Sequence, residues 1–85
     1  MRVEHDTRHD TAYFAFASGE SVRQEALEGG RVVDYDADGA VVGIEFLAPS
    51  RGLDLAGIPH AADIARAARR HGMRVLPGPG VARAG

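Results

Sequence analysis

The chain has 85 residues, the size of one small domain with a limited hydrophobic core. Ten basic residues, all of them arginine, face twelve acidic ones, so the formal charge of -2 provides no overall basic excess for binding nucleic acid. The absence of cysteine excludes disulfides, thiolate nucleophiles and cysteine-ligated zinc. The longest apolar run, 12–17, is too short to cross a bilayer, and the first residues lack the apolar stretch of a secretion signal. We therefore expect a cytoplasmic protein with no membrane contact.

Alternation with a period of two predicts β-strands in the first part of the chain. The expected extended segments are 12–17, 22–27, 31–35 and 40–47, with a short edge strand at 73–76. The first of these strands has apolar residues on both sides, with Phe14 pointing to one side and Tyr13 to the other. A sheet with one wet face normally alternates apolar with polar residues, so both faces of this sheet are expected to be covered.

The segment Asp36-Ala37-Asp38-Gly39 predicts a tight hairpin between 31–35 and 40–47. Gly39 is expected in the left-handed bulge position, with Asp36 opposite Ala40. Counted from that turn, Arg31 lies opposite Glu45. The hairpin face expected to form the core carries Val32, Val42, Ile44 and Phe46.

After Pro49 the spacing of apolar residues changes from that of a strand to that of a helix. Residues 60–71 form the predicted helix, with Gly72 as its C-cap. Its apolar stripe consists of Ala61, Ile64, Ala65 and Ala68. The expected fold class is α+β: a meander of four or five antiparallel strands with this C-terminal helix packed on one face. We expect one compact domain over 1–76 and a flexible tail, rich in proline and glycine, over 77–85.

Charge is distributed unevenly along the chain. Residues 1–50 contain four arginines and ten acidic residues, a formal charge of -6, whereas 51–85 contain six arginines and two aspartates, a charge of +4. Arg66, Arg69 and Arg70 recur at helical spacing, so one side of the predicted helix is basic. A regulator that contacts DNA is one interpretation. The chain lacks a second helix for a helix-turn-helix and aromatic residues between the arginines, which argues against it.

One segment matches the EF-hand pattern of calcium ligands, namely Asp34, Asp36, Asp38, Gly39 and Glu45. A true EF-hand needs flanking helices, but Gly29-Gly30 and several β-branched residues surround this segment. We therefore interpret it as a hairpin tip whose aspartates favour the turn, and expect no tight calcium binding.

The segment 5–10 places two histidines and two carboxylates at a spacing of four. On a helix this spacing would align His5, His9, Asp6 and Asp10 as metal ligands. A metal-dependent enzyme is therefore a second alternative. A turn in which the aspartates accept hydrogen bonds from nearby amides is the simpler interpretation of this segment.

Catalytic residues of other kinds are not recognisable in the sequence. No serine lies in a Gly-x-Ser-x-Gly elbow, and the chain has no lysine. The sequence therefore indicates a protein that is not an enzyme and needs no cofactor.

Two segments carry a resemblance to a known family. Asp6, Asp10 and Tyr13 are spaced as in a Tyr-Asp-x-x-x-Asp-x-x-Tyr opening, and 33–39 and 41–47 supply a hairpin containing Gly43-Ile44-Glu45. Over about 1–53 the chain resembles the small prokaryotic domain-of-unknown-function 2283 family, although His5 stands where an aromatic residue is usual. The resemblance implies a compact antiparallel meander with a small helix and no established activity. It also implies frequent association with toxin-like genes, which would make some members antitoxin-like.

The leading functional hypothesis is a non-catalytic interaction domain. One helix cannot cover both faces of the sheet, so the second face is expected to bind another copy of the chain or a small protein partner. The residues expected at that interface are Tyr13, Ala15, Ala17, Val33, Tyr35, Val41 and Leu47. A homodimer is the simplest arrangement, because one patch serves both subunits.

Overall fold

The computed structural model describes residues 1–17 and 19–77 and divides into two compact units. The first unit, Met1–Ala48, is a five-stranded antiparallel sheet, and the second begins at Pro49 and contains a helix. The predicted α+β class, with a C-terminal helix, is confirmed. One compact domain over 1–76 stays a prediction. Residues 78–85 of the predicted tail lie outside the described residues.

The sheet has the strand order β1-β2-β5-β4-β3. Its strands are β1 (Arg2–Asp6), β2 (Thr11–Ala15), β3 (Arg23–Leu27), β4 (Arg31–Tyr35) and β5 (Val41–Leu47). Strands β3, β4 and β5 follow one another as a meander, and the β1–β2 hairpin adds to β5. The longest strand, β5, therefore lies at the centre, and β1 and β3 form the two edges.

The predicted hairpin tip is confirmed. The amide of Asp36 donates to the carbonyl of Ala40 at 2.9 Å, and the amide of Gly39 donates to the carbonyl of Asp36 at 3.0 Å. Gly39 has a φ of 84°, as the bulge position requires. Asp36 Oδ1 also accepts the amides of Asp38 and Ala40, each at 2.9 Å, so this carboxylate stabilises the turn.

The predicted register is correct at the tip and wrong beyond it. Tyr35 lies opposite Val41, but Asp34 lies opposite Gly43, so β5 contains one extra residue, Val42. This β-bulge shifts every later pair by one position, and Arg31 faces Phe46 instead of Glu45. The carbonyl of Val42 accepts two amides from the segment after β2, which gives the extra residue a role that the hairpin sequence alone does not reveal.

One face of the sheet carries the largest buried side chains. Residues directly opposite each other in an antiparallel pair share a face. The pairs therefore define a Phe14 face that comprises Ala12, Phe14, Arg31, Val33, Ile44 and Phe46. The rings of Phe14 and Phe46 meet edge to face at 5.6 Å. Two predictions change as a result, because Val33 belongs to the core and Val32 lies on the opposite face.

The second unit starts with a 3₁₀ turn over Pro49–Arg51. Leu53 then forms an isolated parallel bridge with Val75. The amide of Leu53 donates to the carbonyl of Arg74 at 2.8 Å, and the carbonyl of Leu53 accepts the amide of Leu76 at 2.9 Å. The segment 73–76 thus makes this single bridge and does not form the predicted edge strand. Leu53 is fully buried.

The predicted helix is confirmed within one residue at each end, as α1 (Ala61–Arg70). Gly72 has a φ of 76°. Its amide donates to the carbonyl of Arg69, and the amide of Met73 donates to the carbonyl of Ala68, so the helix ends in a Schellman motif. The buried side chains of α1 are Ile64, Ala67 and Ala68, so the predicted stripe omitted Ala67. No helix in 1–17 or 19–77 has the length and apolar character needed to cross a membrane.

Candidate functional site

The second face of the sheet is built from two neighbouring rows of residues that run across the strands, and we call it the Tyr13 face. The first row consists of Glu4, Tyr13, Glu45, Val32 and Ala26. The second consists of Arg2, Ala15, Gly43, Asp34 and Gln24. Along each strand these residues alternate with those of the Phe14 face, so the two faces come from adjacent positions in the sequence.

A hydrogen-bonded network lies at the centre of the Tyr13 face. The hydroxyl of Tyr13 donates to Asp34 Oδ2 at 3.0 Å, and the side-chain amide of Gln24 donates to Asp34 Oδ1 at 2.9 Å. Asp34 is only 8% exposed, and both of its oxygens have a donor. The network joins β2, β4 and β3. Tyr13 and Asp34 are 21 residues apart in the sequence, so their contact is not a local one.

Gly43 is what allows Tyr13 to reach Asp34. The tyrosine side chain crosses β5 directly above Gly43, where an added Cβ would lie 2.1 Å from the hydroxyl oxygen and 2.4 Å from Cζ. No side chain fits in that space. A glycine inside a strand is a recognised sign of a bulge or of a close approach by another group, and Gly43 marks both.

The pKa of Tyr13 is raised to about 12, first by burial and then by the hydrogen bond to Asp34 and the negative charge of that carboxylate. Tyr13 is therefore neutral at physiological pH and acts as a hydrogen-bond donor. Its proton is donated to the carboxylate of Asp34, which accepts one further hydrogen bond, from Gln24. The two hydrogen bonds hold the side chains of Tyr13, Asp34 and Gln24 in fixed positions relative to one another.

The predicted interface residues do not all share one face. Tyr13, Ala15 and Leu47 lie on the Tyr13 face, as expected. The prediction that Val33 and Tyr35 join them is wrong, because the bulge at Val42 moves both to the side of Phe14. Val41 lies directly opposite Tyr35 and shares its side of the sheet, so the prediction for Val41 is wrong as well. Ala17 follows the end of β2.

Tyr35 instead belongs to a small exposed cluster at the edge of the sheet. The guanidinium carbon of Arg23 lies 4.1 Å from the centre of the Tyr35 ring, and the Tyr35 hydroxyl donates to Glu25 Oε1 at 3.0 Å. The hydrogen bond to Glu25, with a smaller contribution from burial, raises the pKa of Tyr35.

The Tyr13 face also has apolar parts that water reaches. Leu47 is 47% exposed at the end of β5, one diagonal step from both Tyr13 and Val32. Near the start of β1, a shallow pocket of about 200 Å³ is lined by Met1, Arg2, Ala15, Phe16 and Ala17. Exposed apolar area therefore flanks the hydrogen-bonded centre.

The predicted metal ligands form a turn between β1 and β2. Asp6 Oδ1 accepts the amides of Arg8 and His9, each at 3.0 Å, and Asp6 Oδ2 lies 2.8 Å from His9 Nδ1. The amide of His9 is the largest cause of the lowered pKa of Asp6. His5 points to the other side of β1 from Asp6.

The carbonyl of Asp10 in the same turn accepts the amide of Ala48 at 2.9 Å. Among the described residues, no three histidine, aspartate or glutamate side chains are grouped so that they could hold a metal ion. The spacing of four in the sequence therefore does not bring His5, His9, Asp6 and Asp10 together as a set.

The EF-hand pattern is divided between different parts of the hairpin. Asp34 lies on the Tyr13 face, Asp36 accepts the amides of the turn, and Glu45 is opposite Val32 on β5. Strands and not helices flank the segment, as the hairpin interpretation expected.

The three arginines predicted to contact DNA are all exposed on α1. Arg66 forms an ion pair with Asp63 one turn earlier. Arg69 and Arg70 follow in the last turn. These residues lie in the second unit.

The fold and the network define a small antiparallel-sheet domain with an extended hydrogen-bonded face. The family model described as "Protein of unknown function (DUF2283)" matches residues 2–50. The chain belongs to this family, which confirms the resemblance expected over about 1–53. No curated protein and no solved structure matches the chain. The family match covers the whole sheet and ends before α1.

Proposed function

We propose that the chain is a small non-catalytic interaction domain that binds a second copy of itself, or a small protein partner, through the Tyr13 face. The supporting observation is the contrast within this face, where the central polar groups bond to one another while Leu47 at the rim is 47% exposed. An antitoxin-like or accessory role would use such a surface.

A closed network is well suited to burial beneath a partner. Covering a polar group costs free energy when its hydrogen bonds to water are lost and not replaced. Asp34 already accepts from Tyr13 and Gln24, so covering this part of the face leaves the carboxylate satisfied. The apolar surface removed from water then contributes favourably, at about 25 cal/mol per Å².

Glu45 sets a requirement on the partner. It stands between Tyr13 and Val32 in the first row and is half-buried. A carboxylate that is buried without a counter-ion is strongly destabilising. The partner surface should therefore present an arginine or lysine opposite Glu45, which would fix both orientation and specificity.

Leu47→Glu tests the proposal most directly. Leu47 is a better position than Ala15, because Ala15 is 6% exposed and a charge there would disturb the sheet itself. Val22→Glu is the matched control, since Val22 is 61% exposed and precedes β3. Light scattering at high micromolar concentration would give the solution mass of the wild type and both variants.

We expect a dimeric wild type, a monomeric Leu47→Glu variant and a dimeric Val22→Glu variant. A wild type that stays monomeric would contradict self-association and leave a separate partner as the occupant of the face. Equal loss of the dimer in both variants would show that added charge, and not the Tyr13 face, controls assembly.

A further inference from the structure

The exposed side of α1 carries a second surface of different chemistry. Arg66, Arg69 and Arg70 are spaced at i, i+3 and i+4, so they lie on one side of the helix, and all three are exposed. The buried side of α1 consists of Ile64, Ala67 and Ala68. The helix therefore separates an alanine-rich side from an arginine-rich one.

The acidic residues of the second unit leave part of this positive charge uncompensated. Residues 49–77 contain five arginines and two aspartates, a formal charge of +3. Asp63 pairs with Arg66, and Asp54 Oδ1 accepts the amide of Ala56 at 3.0 Å. Within 1–17 and 19–77, neither Arg69 nor Arg70 has an ion pair or a side-chain hydrogen bond.

Capping of the helix does not account for both arginines. Cations in the last turn interact favourably with the helix dipole, and they can also hydrogen-bond to the last carbonyls. Here the amides of His71, Gly72 and Met73 already donate to the carbonyls of Ala67, Ala68 and Arg69. The guanidinium groups of Arg69 and Arg70 are therefore left with their full set of donors.

We propose that Arg69 and Arg70, with Arg66 beside them, dock an acidic protein segment. A guanidinium fork matches the two oxygens of a carboxylate, and adjacent forks can bind successive acidic side chains. This surface lies in the second unit, and its assignment does not depend on the function proposed for the Tyr13 face.

An acidic protein fits this surface better than a nucleic acid does. Two uncommitted arginines neutralise few phosphates, and affinity for DNA grows with the number neutralised. The helix AADIARAARR also has no aromatic residue on which a base could stack.

Fluorescence anisotropy with the full chain tests this assignment. The probes are a labelled oligoglutamate peptide and a labelled short DNA duplex. The test variant is Arg69→Gln/Arg70→Gln, and the control is Arg8→Gln/Arg51→Gln, which removes the same charge from exposed positions outside α1. Far-UV circular dichroism checks that the helix is retained.

We expect the peptide to bind, and the Arg69/Arg70 variant to weaken its binding about fivefold or more while the control changes it little. Arg69→Lys/Arg70→Lys should restore only part of the affinity, because lysine keeps the charge and loses the fork. Three results would overturn the assignment. These are no peptide binding at low salt, an equal loss in the control, or tighter binding of the duplex through the same two arginines.

Discussion

The two faces of the sheet are stabilised in different ways, although they come from alternate residues of the same strands. On the Phe14 face, five apolar side chains are at most 2% exposed, and the stabilisation comes from apolar area removed from water. On the Tyr13 face, the central contacts are two hydrogen bonds to one carboxylate. Tyr13 and Phe14 are neighbours on β2, yet one is held mainly by a hydrogen bond and the other by hydrophobic burial.

This difference determines what each face tolerates. Hydrophobic burial is not directional, so an apolar core accepts exchanges that conserve volume at a cost of about 1.5 kcal/mol or less. The Tyr13 network depends on the position of individual atoms and on the absence of a side chain at Gly43. We therefore expect the Phe14 face to respond to lost volume and the Tyr13 face to respond to a single added methyl group.

Phe14→Ala should give the largest loss of stability. Phe14 is fully buried and contacts Phe46 edge to face, so truncation leaves a cavity and costs about 3–5 kcal/mol. Leu47→Ala on the other face is the control, and its cost should be smaller because Leu47 is 47% exposed. Urea unfolding followed by circular dichroism measures both. Similar costs at the two positions would contradict the contrast between the faces.

Gly43→Ala should be the most damaging small substitution on the Tyr13 face. The new methyl group would overlap Tyr13, whose hydroxyl lies 2.1 Å from the Cβ position, and we expect a loss of about 1–3 kcal/mol. In a Tyr13→Ala background the same change meets no ring and should cost less. A double-mutant cycle measures this coupling, and strictly additive effects would show that Tyr13 does not occupy the space above Gly43.

Local chemistry made part of this structure predictable from the sequence. The turn at Asp36 and Gly39 follows from an aspartate that accepts turn amides and a glycine with positive φ. Helix α1 follows from its apolar period and from Gly72 at its end. In each case the residues that decide the structure lie within a few positions of one another.

The parts of the structure that the sequence did not predict depend on contacts between residues that are distant in the sequence. The bulge at Val42 is stabilised by amides of Phe16 and Ala17, and it reversed the expected faces of Val33 and Tyr35. Strand β1 was missed because Val3 is its only apolar residue. Asp34 is 21 residues from Tyr13 in the sequence, and Gly43 inside a predicted strand was the only local sign of their contact.

Gly39→Val tests the hairpin tip, which belongs to neither face. No atom lies within 4 Å of a Cβ at this position, so the cost comes from the φ of 84° alone. A β-branched residue in that conformation should cost about 1–2 kcal/mol. Gly39→Asn should cost less, because asparagine tolerates left-handed backbone better. Unchanged thermal unfolding of the valine variant would contradict the turn geometry.

Tyr13→Phe should have a smaller effect at neutral pH. The substitution keeps the ring above Gly43 and removes only the hydrogen bond to Asp34, so we expect a loss of about 1 kcal/mol. Asp34 keeps its hydrogen bond from Gln24. Chemical denaturation of the variant beside the wild type measures the difference, and a loss as large as that of Phe14→Ala would mean that the hydroxyl holds the whole face together.

The same variant should change how stability depends on alkaline pH. The pKa of Tyr13 rises from its ordinary value of 10.0 to about 12 on folding, so the unfolded chain gives up this proton first. The stability contributed by neutral Tyr13 is therefore complete below pH 10.0 and is lost as the pH rises to about 12. In Tyr13→Phe the free energy of unfolding should therefore fall less steeply over this range than in the wild type. Tyr35→Phe is the control and should change the slope less, because the pKa of Tyr35 is raised mainly by an exposed hydrogen bond to Glu25. Equal slopes in the wild type and Tyr13→Phe would show that the hydroxyl is not held against Asp34 in solution.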